Sequence, residues 1–291
     1  MQTTDKMNGE TTILRKPEWL RIKLPKGFKT AQVVGLLNDH GLHTICSSGL
    51  CPNKGECWGR GTATFMIGGN ICTRNCKFCN VSSGKPKPLD PQELLDIVES
   101  VKSLKLKHIV ITSVDRDDLP DYGASHWCEI IRLIKKECPG VTMEVLIPDF
   151  RGRKDLINQV IEASPDVISH NMETVRRLTP EVRSVATYDT SLNVIRQIAE
   201  SGIRSKSGIM LGLGETEAEI LETLRDLKDV GCEVITIGQY LQPSRRHYPV
   251  KAYITPQKFK EYELKGKEMG FRHVESGPLV RSSYHAEKHV L

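Results

Sequence analysis

From Thr64 onward, short and almost wholly apolar runs alternate with longer stretches whose apolar residues recur every three or four positions. The short runs, Thr64–Ile67, His108–Val114, Val141–Ile147, Asp166–Ser169, Arg204–Met210 and Glu233–Ile237, predict buried strands. The longer stretches predict helices. The first is opened by Asp90 as N-cap and Pro91 as first helical residue, with Leu94, Leu95, Ile97, Val98 and Val101 on its apolar side. Further helices are expected over Trp127–Lys136, Lys154–Ala163, Ser191–Ser201, Glu217–Val230 and Pro256–Met269. Six strands, each followed by a helix, imply a parallel sheet with right-handed crossovers. The fold class is α/β, a partial (β/α)6 barrel, because a closed barrel of this kind needs eight units. Chemistry is then expected at the carboxyl ends of the strands, on 112–118, 170–173, 211–215 and 240–244.

Upstream of the barrel the pattern weakens. Residues 1–30 are polar and basic, with Trp19, Leu20 and Ile22 able to pin them to the body, and Ala31, Val33, Val34, Leu36 and Leu37 suggest a short helix over Lys29–Asn38. The expected organisation is an N-terminal extension over 1–62, the barrel over 63–270 and a C-terminal segment over 271–291.

Composition narrows the class without naming a reaction. With 38% apolar and 26% charged residues the chain is a soluble globular type, and no run of about 18 apolar residues suggests a membrane span. The polar N-terminus, with Asp5 and Glu10, lacks an apolar signal region, so a cytoplasmic protein is expected. Net charge is +5, which suits an acidic partner and falls short of a nucleic-acid signature. Neither a nucleic acid nor a membrane is expected as a partner.

Nine cysteines in a reducing compartment need a reason other than disulfides. Cys128, Cys138 and Cys232 are dispersed and read as small apolar fillers. The other six form two groups. Cys72, Cys76 and Cys79 have the spacing Cys-x3-Cys-x2-Cys, directly after a strand that ends in Gly68-Gly69. Three such thiolates suit three irons of a [4Fe–4S] cluster and leave the fourth iron open for a small molecule. Cys46, Cys51 and Cys57, spaced Cys-x4-Cys-x5-Cys in a loop with Gly49 and Gly55, suit another cluster. His40 and His43 are possible further ligands there, although a solvated or packed histidine is the plainer reading. Structural zinc is the alternative for closely spaced cysteines, but zinc usually closes a tetrahedron with four ligands.

The strand followed by the cluster loop resembles the radical S-adenosylmethionine (SAM) superfamily. The two cysteine groups together with Arg281-Ser282-Ser283-Tyr284-His285-Ala286 resemble the lipoyl synthase family more narrowly. Arg15-Lys16-Pro17-Glu18-Trp19-Leu20, 112–119 and Gln239-Tyr240-Leu241-Gln242-Pro243-Ser244 are similar to further motifs of that family. The resemblance implies a sulfurtransferase that inserts sulfur at C6 and C8 of an octanoyl group on a carrier-protein lysine, consuming two SAM molecules.

In that family Cys72, Cys76 and Cys79 hold the cluster that binds SAM, whose one-electron cleavage gives a 5′-deoxyadenosyl radical that abstracts hydrogen. Cys46, Cys51 and Cys57 hold an auxiliary [4Fe–4S] cluster that supplies sulfur, with Ser283 as its fourth protein ligand. An alkoxide is a harder, weaker partner for iron than a thiolate, which fits a cluster that must open. The superfamily places SAM-binding groups where Thr112, Ser113 and Asp115 stand, although these residues equally suit a helix cap; Asn171, Glu173 and Arg183 are candidates for its ribose and carboxylate. Gly212-Leu213-Gly214-Glu215 lacks a full dinucleotide fingerprint.

The implied partners are octanoylated carrier domains of 2-oxoacid dehydrogenase acyltransferases and of the glycine-cleavage system, a donor such as ferredoxin or flavodoxin, and iron–sulfur assembly or repair proteins. Arg15, Lys16, Arg245 and Arg246 are candidates for guiding an acidic carrier. Another radical SAM sulfur inserter, similar to biotin synthase, is the alternative enzyme, and a zinc-stabilised binding module the alternative of a different class.

Overall fold

A computed structural model of the chain describes residues 14–21, 35, 42–59 and 64–290. The helix expected over Lys29–Asn38 and the candidate His40 fall outside the described residues. Seven strands form one parallel sheet in chain order: β1 (Thr64–Ile67), β2 (His108–Ser113), β3 (Thr142–Leu146), β4 (Val167–Ser169), β5 (Arg204–Leu211), β6 (Val234–Gln239) and β7 (His273–Gly277). The crossovers carry α1 (Pro91–Ser103), α2 (Ala124–Glu137), α3 (Lys154–Glu162), α4 (Tyr188–Glu200), α5 (Glu217–Asp229) and α6 (Pro256–Glu268). No ladder joins β1 to β7 among the described residues, so the sheet is an open, partial barrel.

The elements predicted from Thr64 onward are present, with ends displaced by at most three residues. Asp90 caps α1 through Oδ1, which accepts the Gln92 N–H at 2.9 Å, and Pro91 follows it. Each interior strand is buried on both faces, which is why it reads as an apolar run. Apolar residues fill two layers: Ile111, Val145 and Ile131 belong to the one beneath α1–α3, and Ile209, Ile237 and Leu224 to the one beneath α4–α6.

The strand count differs from the expected six. β7 is a seventh, drawn from beyond residue 270, and it pairs with β6 from Val234↔His273 to Gly238↔Gly277. Of its five residues only Val274 is buried, so this edge strand has no apolar run to announce it. Backbone pairing holds it rather than side-chain burial. The isolated cysteines behave as expected, with Cys128, Cys138 and Cys232 free and buried.

Candidate functional site

The cluster loop starts where β1 ends. Gly68 and Gly69 take φ values of +82° and +89°, a region that costs a side chain, and thereby turn the chain outward across the barrel mouth. Glu93 of α1 accepts both of their N–H groups, at 2.8 and 3.0 Å, so the turn is held from the helix side. Ile71–Cys72 then pairs with Ser82–Ser83, closing the loop at its base.

Inside the loop, Arg74 is driven into the barrel. Its guanidinium donates to both carboxylate oxygens of Asp117 at 2.9 Å and to Asp149 at 2.7 Å, and lies 3.3 Å from Asp115. Arg151 adds a second cation on Asp117 at 2.9 Å. Burial would raise the pKa values of Asp117 and Asp149, but the arginine hydrogen bonds outweigh it and keep both below the ordinary carboxylate range. The loop is gripped from the other side as well: Lys77 N–H donates to Val182 O, Tyr248 N–H to Lys77 O, and His247 Nε2 lies 3.0 Å from Cys79 O.

Two thiols of this loop, Cys72 and Cys79, are shifted by their surroundings. Burial, with Asp115 beside it, pushes Cys72 up to about 12, and burial pushes Cys79 up to about 11. Working against this, Arg74 and Asp115 N–H groups point at Cys72 Sγ from 3.4 and 3.3 Å. Such amides stabilise a thiolate once iron has displaced the proton. Three thiolates fall short of the four ligands with which structural zinc usually closes a tetrahedron. A [4Fe–4S] cluster asks for something else, thiolates that each take a different iron, and the donor set of this loop fits that need.

Above the loop lies a cavity of about 300 Å³, lined by Cys72, Cys76 and Cys79 and by all six SAM candidates, Thr112, Ser113, Asp115, Asn171, Glu173 and Arg183. Thr112 and Ser113 end β2; they do not cap the next helix, whose N-cap is Gly123. Asn171 belongs to the cavity wall, and its Oδ1 is buried without a hydrogen-bond partner. Glu173 is raised by burial, with Arg183 opposing, and adopts φ +68° at the cavity wall. Arg183 is fixed by a relay: its Nη1 donates to Ser191 Oγ at 2.7 Å, Ser191 lies 3.0 Å from His170 Nε2, and His170 Nδ1 lies 3.0 Å from Ile147 O. Burial, with Arg183 nearby, lowers His170 to about 4, so it stays neutral, donating to Ile147 and accepting from Ser191.

The other cysteine group sits on the outer edge of β1. Cys46 lies in the short helix Ile45–Ser48, and Cys57 in the helix Lys54–Gly59. Cys51 between them bonds back to Cys46 O. Thr44 bridges Phe65, and Met66 N–H donates to His43 O, so the segment is pinned to the sheet edge. Asn80 Nδ2 donates to Ser48 O at 2.8 Å, tying the two cysteine loops together. Burial first, then Cys46, pushes Cys51 up to about 11, with Arg281 opposing.

That arginine comes from the far end of the chain. Asn53 Nδ2 donates to Leu279 O at 2.7 Å across 226 residues, and Tyr284 OH lies 3.3 Å from Glu56. Val280, Arg281 and Ser282 line the cavity, and Ser283 stands between them and Tyr284. The C-terminal segment therefore lies against the Cys46–Cys57 loop.

The motif 239–244 builds the loop that carries His247. Buried Gln239 donates through Nε2 to Leu211 O, Tyr240 O and Ala252 O and accepts the Ile254 N–H, and a Cβ on Gly212 would come within 2.2 Å of its Nε2. Arg245 and Arg246 are exposed on that loop, and Arg15 and Lys16 are exposed on the N-terminal segment.

Comparison with known proteins agrees with this geometry. A model of the radical SAM superfamily matches residues 66–227. Methylornithine synthase shares the fold at TM-score 0.56 and 14% identity, over 73% of this chain and 70% of its own. Streptococcus suis SuiB bound to S-adenosylmethionine shares it at 0.58 and 9%, over 77% and 54%. Fold and site together define a radical SAM enzyme.

The sequence relatives are more specific. A lipoyl synthase of Treponema denticola is 65% identical over 95% of this chain and 96% of its own length, and one of Bacteroides fragilis is 62% identical over 97% and 98%. The chain belongs to the lipoyl synthase family.

Proposed function

We propose that Cys72, Cys76 and Cys79 hold the SAM-binding [4Fe–4S] cluster, that Cys46, Cys51, Cys57 and Ser283 hold the auxiliary one, and that the polar groups between them hold SAM. The activity follows from the family: a radical SAM sulfurtransferase that makes the lipoyl group, with SAM and two [4Fe–4S] clusters as cofactors. When bound, these groups supply the electron, the hydrogen-abstracting radical and the sulfur.

The chain's own residues do the rest. Asp115, Thr112 and Ser113 suit the amino end of SAM, while Arg183, held by Ser191, suits its carboxylate and Asn171 or Glu173 its ribose. Apolar residues also form part of the cavity wall, among them Leu146, Ile147, Ala186, Ile209, Met210 and Val280. Such a wall takes an octanoyl chain and keeps water from a reactive carbon centre. The observation that carries this reading is that Ile45 and the segment Val280–Ser282, which flank the auxiliary cysteines, line the same cavity as Cys72, Cys76 and Cys79.

The substrate is then an octanoylated lysine on a lipoyl-carrier domain, of the 2-oxoacid dehydrogenase or glycine-cleavage type, with sulfur entering at C6 and C8. A ferredoxin or flavodoxin is the proposed donor, and an assembly or repair protein rebuilds the consumed cluster. The exposed cations Arg15, Lys16, Arg245 and Arg246 favour encounter with an acidic carrier, so binding weakens as salt rises; affinity that is flat with ionic strength contradicts that role. Among the described residues no helix is long and apolar enough to cross a membrane. Mass analysis of an octanoyl-lysine carrier peptide, incubated anaerobically with SAM and a reductant, tests the reaction: two sulfurs gained support it, and an unchanged peptide beside cleaved SAM contradicts it.

A further inference from the structure

The opposite end of the barrel holds a group of polar side chains that the reaction does not use. His108 and Arg204 are the first residues of β2 and β5, and His273 the first of β7. Above them Lys206 donates to both carboxylate oxygens of Glu144, at 2.8 and 2.7 Å, and Ser169 donates to the same carboxylate at 2.6 Å. Into this floor the chain inserts its last described turn, Ala286–His289. His285 enters it with φ +54°, a left-handed residue that reverses the chain after Tyr284. Ala286 and His289 are 1% and 0% exposed, so the turn is seated rather than trailing.

The seat holds the turn through its backbone and gives the His289 side chain no hydrogen bond. Arg204 Nη1 donates to His289 O at 2.6 Å, and the His289 ring stands 5.8 Å from that of His273. Neither ring nitrogen of His289 has a hydrogen-bond partner, nor has His108 Nε2. The groups facing the ring are His108, Lys206, His273, His285 and Glu275, the last 4.0 Å away. A protonated ring there would sit beside a lysine without a close counter-ion. The imidazole thus acts as a neutral filler.

Only a few residues separate this turn from Arg281–Ser283. At the mouth those residues are held by the Asn53 and Tyr284 contacts, and at the floor by the seated turn. We propose that Ala286–His289 is a plug whose seating in the barrel floor positions Arg281–Ser283 against the auxiliary cysteine loop, with His289 as a positioning residue. The functional consequence rests on the proposed ligation by Ser283; the mechanical one does not.

Three variants of the full, cluster-loaded protein separate these two layers: removal of residues 286–291, His289→Lys, and His289→Phe. Tryptic cleavage after half-buried Arg281, followed by mass spectrometry, reports whether the tail lifts. The truncation and His289→Lys should speed that cleavage about tenfold or more, because local opening sets the rate. Both should keep SAM cleavage and lose lipoyl formation. His289→Phe, which keeps the bulk and removes the two unpartnered nitrogens, should be protected at Arg281 and make lipoyl product like the parent.

Unchanged protection of Arg281 in the truncation and in His289→Lys overturns the plug. So does loss of SAM cleavage in both, since the turn would then support the barrel as a whole. A lifted tail with undiminished lipoyl formation leaves the plug standing and removes the ligand role of Ser283.

Discussion

The two cysteine loops are built in opposite ways. The loop of Cys72, Cys76 and Cys79 is local in sequence and keyed into the barrel by the buried Arg74, which gathers carboxylates from the segments after β2 and β3. The loop of Cys46, Cys51 and Cys57 lies on the sheet edge and is completed by a segment 226 residues away, through Asn53 and Leu279. A cluster that persists through turnover benefits from a rigid seat, whereas one that gives up sulfur needs a holder that opens. On the proposed ligand sets, rigidity and release fall to different parts of the chain.

The largest expected effect comes from cutting each loop at one ligand. Cys76→Ala should abolish reductive SAM cleavage and leave roughly half the iron, since one of two like clusters remains. Cys51→Ala should keep SAM cleavage and lose sulfur insertion. Iron analysis with methionine and lipoyl assays checks both, and lipoyl product from Cys51→Ala would erase the contrast between the loops.

Arg74→Ala should be next. It strands Asp149 in the interior, leaves Asp117 with Arg151 alone, and should destabilise the protein by about 3–5 kcal/mol in denaturant unfolding. Arg74→Lys, a point charge without the fork, should fall between. Asn53→Ala removes one hydrogen bond between loop and tail and should cost about 1 kcal/mol. Its distinguishing mark is faster loss of auxiliary iron during anaerobic chelation, with SAM cleavage unaffected.

A further effect is a pH dependence from His170. Its pKa falls from 6.5 to about 4 on folding, so the folded chain binds fewer protons between those values. The stabilisation is complete above about 6.5 and is lost as pH falls through about 4. His170→Asn should flatten that limb of the stability curve relative to the parent.

The contrast also explains what the sequence discloses. The barrel was legible because buried parallel strands and capped helices leave strong local signatures, as at Asp90-Pro91 and His108–Ser113. The two cysteine groups, the proposed ligand sets, stand out by their spacing alone. β7 was not, because one buried residue in an edge strand makes no pattern. Arg74, Asp149 and the His170–Ser191–Arg183 relay were missed, since each joins polar residues from different strand ends and nothing local marks the partner. Arg74 alone carried a hint, standing between two cysteines where a solvated arginine has little reason to be. Glu93 and Asn53 look like ordinary polar residues until the glycine turn and Leu279 are brought to them.

The central claim is that the tail supplies the ligand that makes the auxiliary cluster releasable, and replacing Ser283 tests it most directly. A thiolate there would bind iron more softly and tightly than an alkoxide. In a single-turnover anaerobic assay with octanoyl carrier peptide, Ser283→Cys should assemble both clusters and cleave SAM, yet release little or no lipoyl product, while Ser282→Ala stays close to the parent. Parental lipoyl yield from Ser283→Cys, or an inactive Ser282→Ala beside an active Ser283→Ala, would contradict the account.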